Sequence, residues 1–321
     1  MEYTCSRVTA KLGTTYPLIQ APMSWVTDAR LVAAVSEAGG LGVFGPNAGH
    51  DVVARDDAET IDRMRAEIRQ AAALTDKPVG LNVLLMGARS DPLDEFTAKW
   101  IHMALDEGVR HFVSIGNASE HAFAMMKNDN GIIIHRPLTP SVANMREAEG
   151  IGADILVATG YDEGGHMPVR GLGTFTVVPT MVDAVSVPVM ATGGINDRRG
   201  VRAAFALGAE GVFLGTRFIA TLESPAAETV KKKIVASGFD DMLMVSDRQR
   251  SIRTRTAERL AALYLDKNNQ RDLNREIADL GGLRPGMLES DMDAGIISVN
   301  TGIDIITSVP SVRDLVEELM A

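Results

Sequence analysis

The stretch Val187-Pro188-Val189-Met190-Ala191-Thr192-Gly193-Gly194-Ile195, followed by a helical pattern over 198–207 and then by Gly211-Val212-Phe213-Leu214-Gly215-Thr216-Arg217-Phe218, decides the fold. Each apolar run is short, continuous rather than alternating, and ends on glycine, so each reads as a strand buried on both faces. A helix separates them. Strand, helix, strand with no alternation of polar residues is the unit of a parallel sheet covered on both sides.

The same unit repeats outward from this stretch. Strands are predicted at 17–20, 41–44, 78–84, 111–114, 132–134 and 154–158. The helices between them are predicted at 28–38, where Gly39-Gly40 stops the pattern, and at 58–74, 94–107, 119–127, 141–149 and 175–185. A helix over 226–236 follows the last strand. Eight strand–helix units in about 240 residues have the size of a closed (β/α)8 TIM barrel; an open doubly wound sheet is the alternative. Beyond this the composition changes. Arg248, Arg250, Arg253, Arg255 and Arg259 crowd together, helical patterns run over 257–265 and 272–280, and a last helix follows Pro310. The expected organisation is a barrel over 1–238 and a helical appendage packed on it over 239–321. Its arginines suit either a phosphate or a solvated helix face, the second being the commoner use.

Composition narrows the function. The chain has 321 residues, 45% apolar and 23% charged, which is ordinary for a globular protein and excludes a disordered, collagen-like or coiled-coil chain. Lys plus Arg is 32 and Asp plus Glu is 42, a formal net charge of −10, so no pervasive positive field exists to hold nucleic acid or an anionic membrane. Cys5 is the one cysteine; it permits neither an internal disulfide nor a cysteine zinc cluster, and a reducing cytoplasm is the expected location. The N-terminus shows no signal peptide, and no window approaches a membrane span. The 16 methionines read first as core filling and second as a pliable apolar pocket.

Two glycine segments end the decisive strands. In a barrel the loops after strands seven and eight are the usual phosphate site. There Gly193, Gly194 and Gly215 would let backbone N–H groups approach phosphate oxygens, with the hydroxyl of Thr216 as a further donor. Gly40-Leu41-Gly42-Val43-Phe44-Gly45 spells G-x-G-x-x-G, but it follows a helix and runs through a strand, which is the wrong context for a dinucleotide fingerprint. Of the histidines His50, His102, His111, His121, His135 and His166, none are paired at metal-ligand spacing, so no metal is expected. His166 stands apart: it follows Gly164-Gly165 past strand six, on the rim where barrels do their chemistry, and can serve as a general base.

Gln20-Ala21-Pro22-Met23, Ala38-Gly39-Gly40-Leu41-Gly42, Pro78-Val79-Gly80-Leu81-Asn82, Gly164-Gly165-His166, Ala191-Thr192-Gly193-Gly194-Ile195 and Leu214-Gly215-Thr216-Arg217-Phe218 occur in that order. Together they resemble the nitronate monooxygenase (2-nitropropane dioxygenase) family, which includes flavin-type enoyl-acyl-carrier-protein reductases and NADH:quinone reductases. The resemblance covers about 8–225. It implies a TIM barrel holding non-covalent FMN at the strand C-termini. Ala21, Pro22 and Met23 would line the isoalloxazine, Asn82 would sit near the flavin or its ribityl chain, Gly164 and Gly165 would lie close to it, and Gly193, Gly194, Gly215 and Thr216 would cradle the phosphate. His166 would be the active-site histidine. The chain departs from the family at Thr159, where an acidic residue is common, at Pro168, and at Ser298-Val299-Asn300-Thr301-Gly302, where relatives tend to carry Gly-Gln. The implied activity is oxidation of alkyl nitronates with O2 to carbonyl compounds and nitrite. The alternatives are an enoyl reductase or a quinone reductase fed by NAD(P)H. The expected partners are a small-molecule substrate, a nitronate or an enoyl thioester, with no nucleic acid and no membrane, and a homodimer is the assembly considered.

Overall fold

In chain order the elements begin with a short helix α1 (Arg7–Leu12), β1 (Leu18–Gln20), α2 (Ala29–Glu37), β2 (Gly42–Phe44), α3 (Asp57–Leu74), β3 (Val79–Leu85), α4 (Glu95–Asp106) and β4 (His111–Gly116). They continue with α5 (Glu120–Lys127), β5 (Ile132–Arg136), α6 (Val142–Gly150), β6 (Ile155–Thr159), α7 (Thr174–Val182), β7 (Val189–Thr192), α8 (Arg198–Ala206), β8 (Gly211–Leu214), the single turn α9 (Thr216–Ile219) and α10 (Glu228–Val235). The computed structural model describes residue 4 and residues 6–321; Cys5, on which the redox reading rests, lies outside the described residues.

Helix starts follow from side-chain caps. Asp28, Asp56 and Asp94 accept the N–H of Leu31, Glu59 and Thr97 at 2.7, 2.8 and 2.8 Å. Each such cap is worth about 1 kcal/mol. Ser6 and Thr9 form a reciprocal cap that starts α1, a helix the apolar pattern did not indicate.

The eight strands are parallel and run in the order β1-β8-β7-β6-β5-β4-β3-β2. The ring closes between β1 and β2 with little backbone ladder: Gln20 N donates to Leu41 O at 3.0 Å and Leu41 N to Leu18 O at 2.9 Å. Beyond that point the Gln20 side chain continues the pairing. Its Oε1 accepts the Val43 N–H at 3.1 Å, and its Nε2 donates to Val43 O at 3.3 Å. The structure is thus the TIM barrel, not the open sheet. The strand period of two divides the core. Ile19, Val43, Val113, Ile134, Val157, Met190 and Phe213 fill the barrel interior, and Val8 and Leu12 of α1 plug its base. Their neighbours Leu18, Phe44, Phe112, Ile133, Leu156 and Val212 face the helices. Gly42 is needed for this packing: a Cβ there would lie 2.1 Å from Val32 O of α2. The G-x-G-x-x-G spelling therefore reflects strand–helix contact.

The chain beyond 239 is not only helical. An antiparallel hairpin of β9 (Met242–Met244) and β10 (Arg250–Ile252) precedes α11 (Arg255–Leu265) and α12 (Leu273–Asp279). Three-residue strands carry too little pattern to read from sequence. The chain then crosses the barrel mouth at 298–302 and ends in α13 (Val312–Leu319), which returns to α2 and α8. Among the described residues no helix is long and apolar enough to cross a membrane.

Candidate active site

A cavity of about 600 Å³ opens at the C-terminal ends of the strands. Every residue singled out as a site candidate lines it: Ala21, Pro22 and Met23 after β1, Asn82 on β3, Gly164, Gly165 and His166 after β6, Gly193 and Gly194 after β7, and Gly215 and Thr216 after β8. The barrel brings them together because parallel strands put all their C-terminal loops on one face.

The glycines do different work. Gly193 and Gly194 have φ of +115° and +70°, a backbone that other residues adopt only at a cost. Thr174 at the start of α7 pins this turn: its Oγ1 donates to Gly193 O at 2.9 Å while Asp162 Oδ2 accepts the Thr174 N–H at 2.7 Å. A Cβ on Gly193 would lie 2.7 Å from that Thr174 Oγ1. Gly215 is open instead; a Cβ there meets nothing closer than 3.7 Å. It precedes α9, so the first N–H groups of that turn have no helical acceptor and point out of it. Gly164 lines the cavity but is required by packing, since its Cβ would fall 2.3 Å from the Val299 carbonyl carbon. Asn82 is buried and its Nδ2 donates to Val113 O at 2.9 Å, which leaves Oδ1 as the free acceptor. Arg217 turns away from the cavity to the Ala220 carbonyl at 3.1 Å.

The adjoining wall, past β5 and β6, carries charge. Arg136, at the end of β5, forms a buried ion pair with Glu163. Its Nη2 also reaches the His166 carbonyl at 3.4 Å. Burial pushes the Glu163 carboxyl above the usual range, against the opposing pull of Arg136 and Arg250. His166 lines the cavity, is exposed, and its ring has no hydrogen-bond partner among the described residues. Desolvation beside the cavity, then Arg136 and Arg248, lower its pKa from the ordinary histidine value. Buried His111 and His135 are structural: burial lowers each to about 4, and His135 Nδ1 lies 2.9 Å from Ser114 Oγ.

Several cavity residues escaped the sequence reading. Arg136 was hidden at the end of an isoleucine run, and Glu163 beside the glycines drew no notice. The tail segment was noted only as a departure, yet it stitches the site together. Ser298 Oγ donates to Gly164 O, Thr301 N donates to Asp162 O at 3.0 Å, and Asn300 N donates to Thr216 Oγ1 at 2.9 Å. Asn300 and Asn196 exchange two hydrogen bonds at 2.8 Å across 104 residues of sequence. Thr216 keeps its own O–H free to donate. Arg250 departs from the expected solvated helix face: it is buried, donates to Tyr161 O at 2.6 Å and stacks 5.0 Å over the Tyr161 ring. Thr159 is fully buried outside the cavity lining, and its Oγ1 has no partner among the described residues.

Comparison with known proteins places this geometry. The family profile described as nitronate monooxygenase matches residues 5–321. A "probable nitronate monooxygenase" of Staphylococcus aureus is 32% identical over 275 residues, 74% of each chain. A Mycobacterium tuberculosis protein is 27% identical over 355 residues, covering 98% of this chain and 94% of the other. Its name is (3aS,4S,5R,7aS)-5-hydroxy-7a-methyl-1-oxo-octahydro-1H-indene-4-carboxyl-CoA dehydrogenase. Among solved structures, FabK from Thermotoga maritima superposes with a TM-score of 0.84 at 29% identity, covering 98% and 95% of the two chains. A nitroalkane oxidase from Streptomyces ansochromogenes shares the fold, with a TM-score of 0.77 at 22% identity over 97% and 96%.

Proposed function

Because this chain belongs to the nitronate monooxygenase family and is an enzyme of the oxidoreductase type, we propose that it holds FMN non-covalently and oxidises alkyl nitronates with O2 to carbonyl compounds and nitrite. The observation that carries the reading is a histidine without a hydrogen-bond partner among the described residues, lining the same cavity as two left-handed glycines and Gly215.

The residues fit the cofactor. The N–H groups at Gly194, Gly215 and Thr216 and the Thr216 O–H suit one terminal phosphate. No adenine-binding fingerprint accompanies them, which favours FMN over FAD. The backbone of 21–23 follows β1, which pairs with β8, and the Asn82 acceptor stands on β3 two strands further round the ring, where a planar ring and its polar chain would be met. When bound, FMN supplies the redox chemistry that no side chain here provides. The chain's own part is to bind, orient and move protons. His166 accepts the carbon-bound proton of a neutral nitroalkane, and its lowered pKa keeps it ready to do so near pH 7. Glu163 and Arg136 hold the loop that carries it.

Anaerobic mixing tests this reading. A nitronate should bleach the flavin absorbance without any nicotinamide. Fast bleaching by NADH or NADPH, with none by nitronate, would overturn it. That outcome would favour an NAD(P)H-dependent enoyl-thioester reductase. The observation favouring this second reading is the apolar wall of Leu84, Met86, Ile115 and Leu138, which is larger than a small nitroalkane needs. The full-length similarity to FabK and to a CoA-ester dehydrogenase supports it as well.

A further inference from the structure

Arg136 is only 5% exposed, yet it lines the cavity. All its hydrogen bonds among the described residues leave through one nitrogen, Nη2, toward Glu163 and the His166 carbonyl. Nε and Nη1 have none. A guanidinium carries five N–H donors and cannot lose its charge, so donors left unpaired in a closed interior would be costly. They are not closed in. Among the described residues the side-chain atoms that are both buried and unpartnered are His50 Nε2, Thr159 Oγ1 and Arg284 Nε, and no atom of Arg136 is among them. The free donors therefore reach open space, and the open space beside Arg136 is the cavity. Among the described residues no other arginine or lysine lines the cavity: Arg248 lies outside it, and Arg250 is committed to Tyr161 O and the Met167 sulfur.

We propose that Arg136 is a specificity-determining residue that receives an anionic oxygen group of the substrate on its free Nε and Nη1 donors, while Glu163 holds the remaining nitrogen, Nη2, and fixes the guanidinium in place. This rests on the preceding reading in one respect, because the NO2 group of a nitronate is such a group; a carboxylate is the other source of the same chemistry. Arg suits the task because its charge cannot be lost and its planar donors are fixed in direction, so a charge-assisted hydrogen bond to an anionic oxygen is held in place. Glu163 also limits the attraction, since its carboxylate competes with the substrate for the same cation.

The experiment uses the flavin-loaded protein. Isobutyrate has the shape of propane-2-nitronate with a carboxylate in place of NO2 and does not react, so its affinity can be read by calorimetry, with isobutyramide as the neutral control. Wild-type protein should bind isobutyrate more tightly than the amide. Arg136→Gln should weaken isobutyrate roughly 10- to 100-fold, the usual value of hydrogen bonds to a charged group, and leave the amide unchanged. The KM for propane-2-nitronate should rise with it. Glu163→Gln should tighten isobutyrate, a direction that a damaged fold would not give. This second variant decides the matter should Arg136→Gln fail to fold.

Equal wild-type affinity for acid and amide would overturn the proposal, as would unchanged isobutyrate binding in a folded Arg136→Gln protein or weaker binding in Glu163→Gln. Arg136-dependent isobutyrate binding without nitronate oxidation would leave the proposal standing with a carboxylate substrate and sink the preceding reading. Nitronate oxidation with a KM indifferent to Arg136 would do the reverse.

Discussion

The two walls of the cavity are built by opposite means. The floor under β7 and β8 is backbone: two left-handed glycines, an open Gly215 and the first N–H groups of a one-turn helix. The wall past β5 and β6 is side chain: a buried Arg136–Glu163 pair, His166 and a tail segment that arrives from the far end of the chain. Backbone recognises what every substrate of a cofactor enzyme shares. Side chains recognise what differs from one substrate to the next. The floor should therefore decide whether flavin is held, and the wall should decide what is done with it.

His166→Ala is the sharpest way to break the comparison. Turnover per bound flavin should fall about 10²- to 10⁴-fold, the usual loss on removing a general base, while the melting temperature and flavin content stay near wild type. A pre-formed nitronate should suffer less than a neutral nitroalkane. Wild-type turnover by the variant on both substrates would take His166 out of the chemistry. On the floor the pattern should invert. Gly194→Val places a β-branched residue at φ +70° with its Cβ 3.2 Å from the Asp162 Cβ. The backbone cost alone is about 1–2 kcal/mol, so flavin affinity should drop roughly tenfold or more, measured by fluorescence of released FMN. Full flavin occupancy in that variant would mean the phosphate lies elsewhere.

Acid should separate the histidines of the core from the one in the cavity. His111 and His135 titrate near 4 in the folded chain and near 6.5 when unfolded. Their folded pKa values are depressed, so the stability they contribute is full above about 6.5 and is lost as pH falls toward 4. The loss is about 3 kcal/mol each at most. Urea melts across that range should show the slope, and His111→Gln should remove its share. The smallest effect joins the two walls. Thr216→Val leaves the buried Asn300 N–H without its acceptor, at about 1–3 kcal/mol, and should lower the melting temperature by several degrees.

How far the sequence could be read follows the same division. The eight strands and the glycine loops were legible because a parallel strand and a left-handed turn each impose a local pattern: an unbroken apolar run in one case, a residue without Cβ in the other. His166 was legible because two glycines precede it at a strand end. Arg136 was not, because at the end of Ile132-Ile133-Ile134-His135 it looks like the polar cap of a buried strand. Its partner Glu163 is 27 residues away. The Asn196–Asn300 exchange spans 104 residues and leaves no periodic trace. Helix α1 was missed for a different reason: six residues with two inward apolar side chains are too few to show a helical period. Gly164 carried the right address for the wrong motive, since tail packing demands it.

The seam at Gln20 has a mechanical consequence. A closed ring under thermal load parts at its weakest link, and here that link between β1 and β2 is fastened in part by one side-chain amide in place of a full ladder. The strand on one side of the seam leads directly into Ala21, Pro22 and Met23, the lip of the cavity. Opening the ring and letting go of the flavin would then be one event. Hydrogen exchange at the Val43 amide should quicken in step with flavin loss on warming, ahead of the amides of β4 and β5. Exchange there no faster than in those strands would show that the fastener holds as well as a backbone rung.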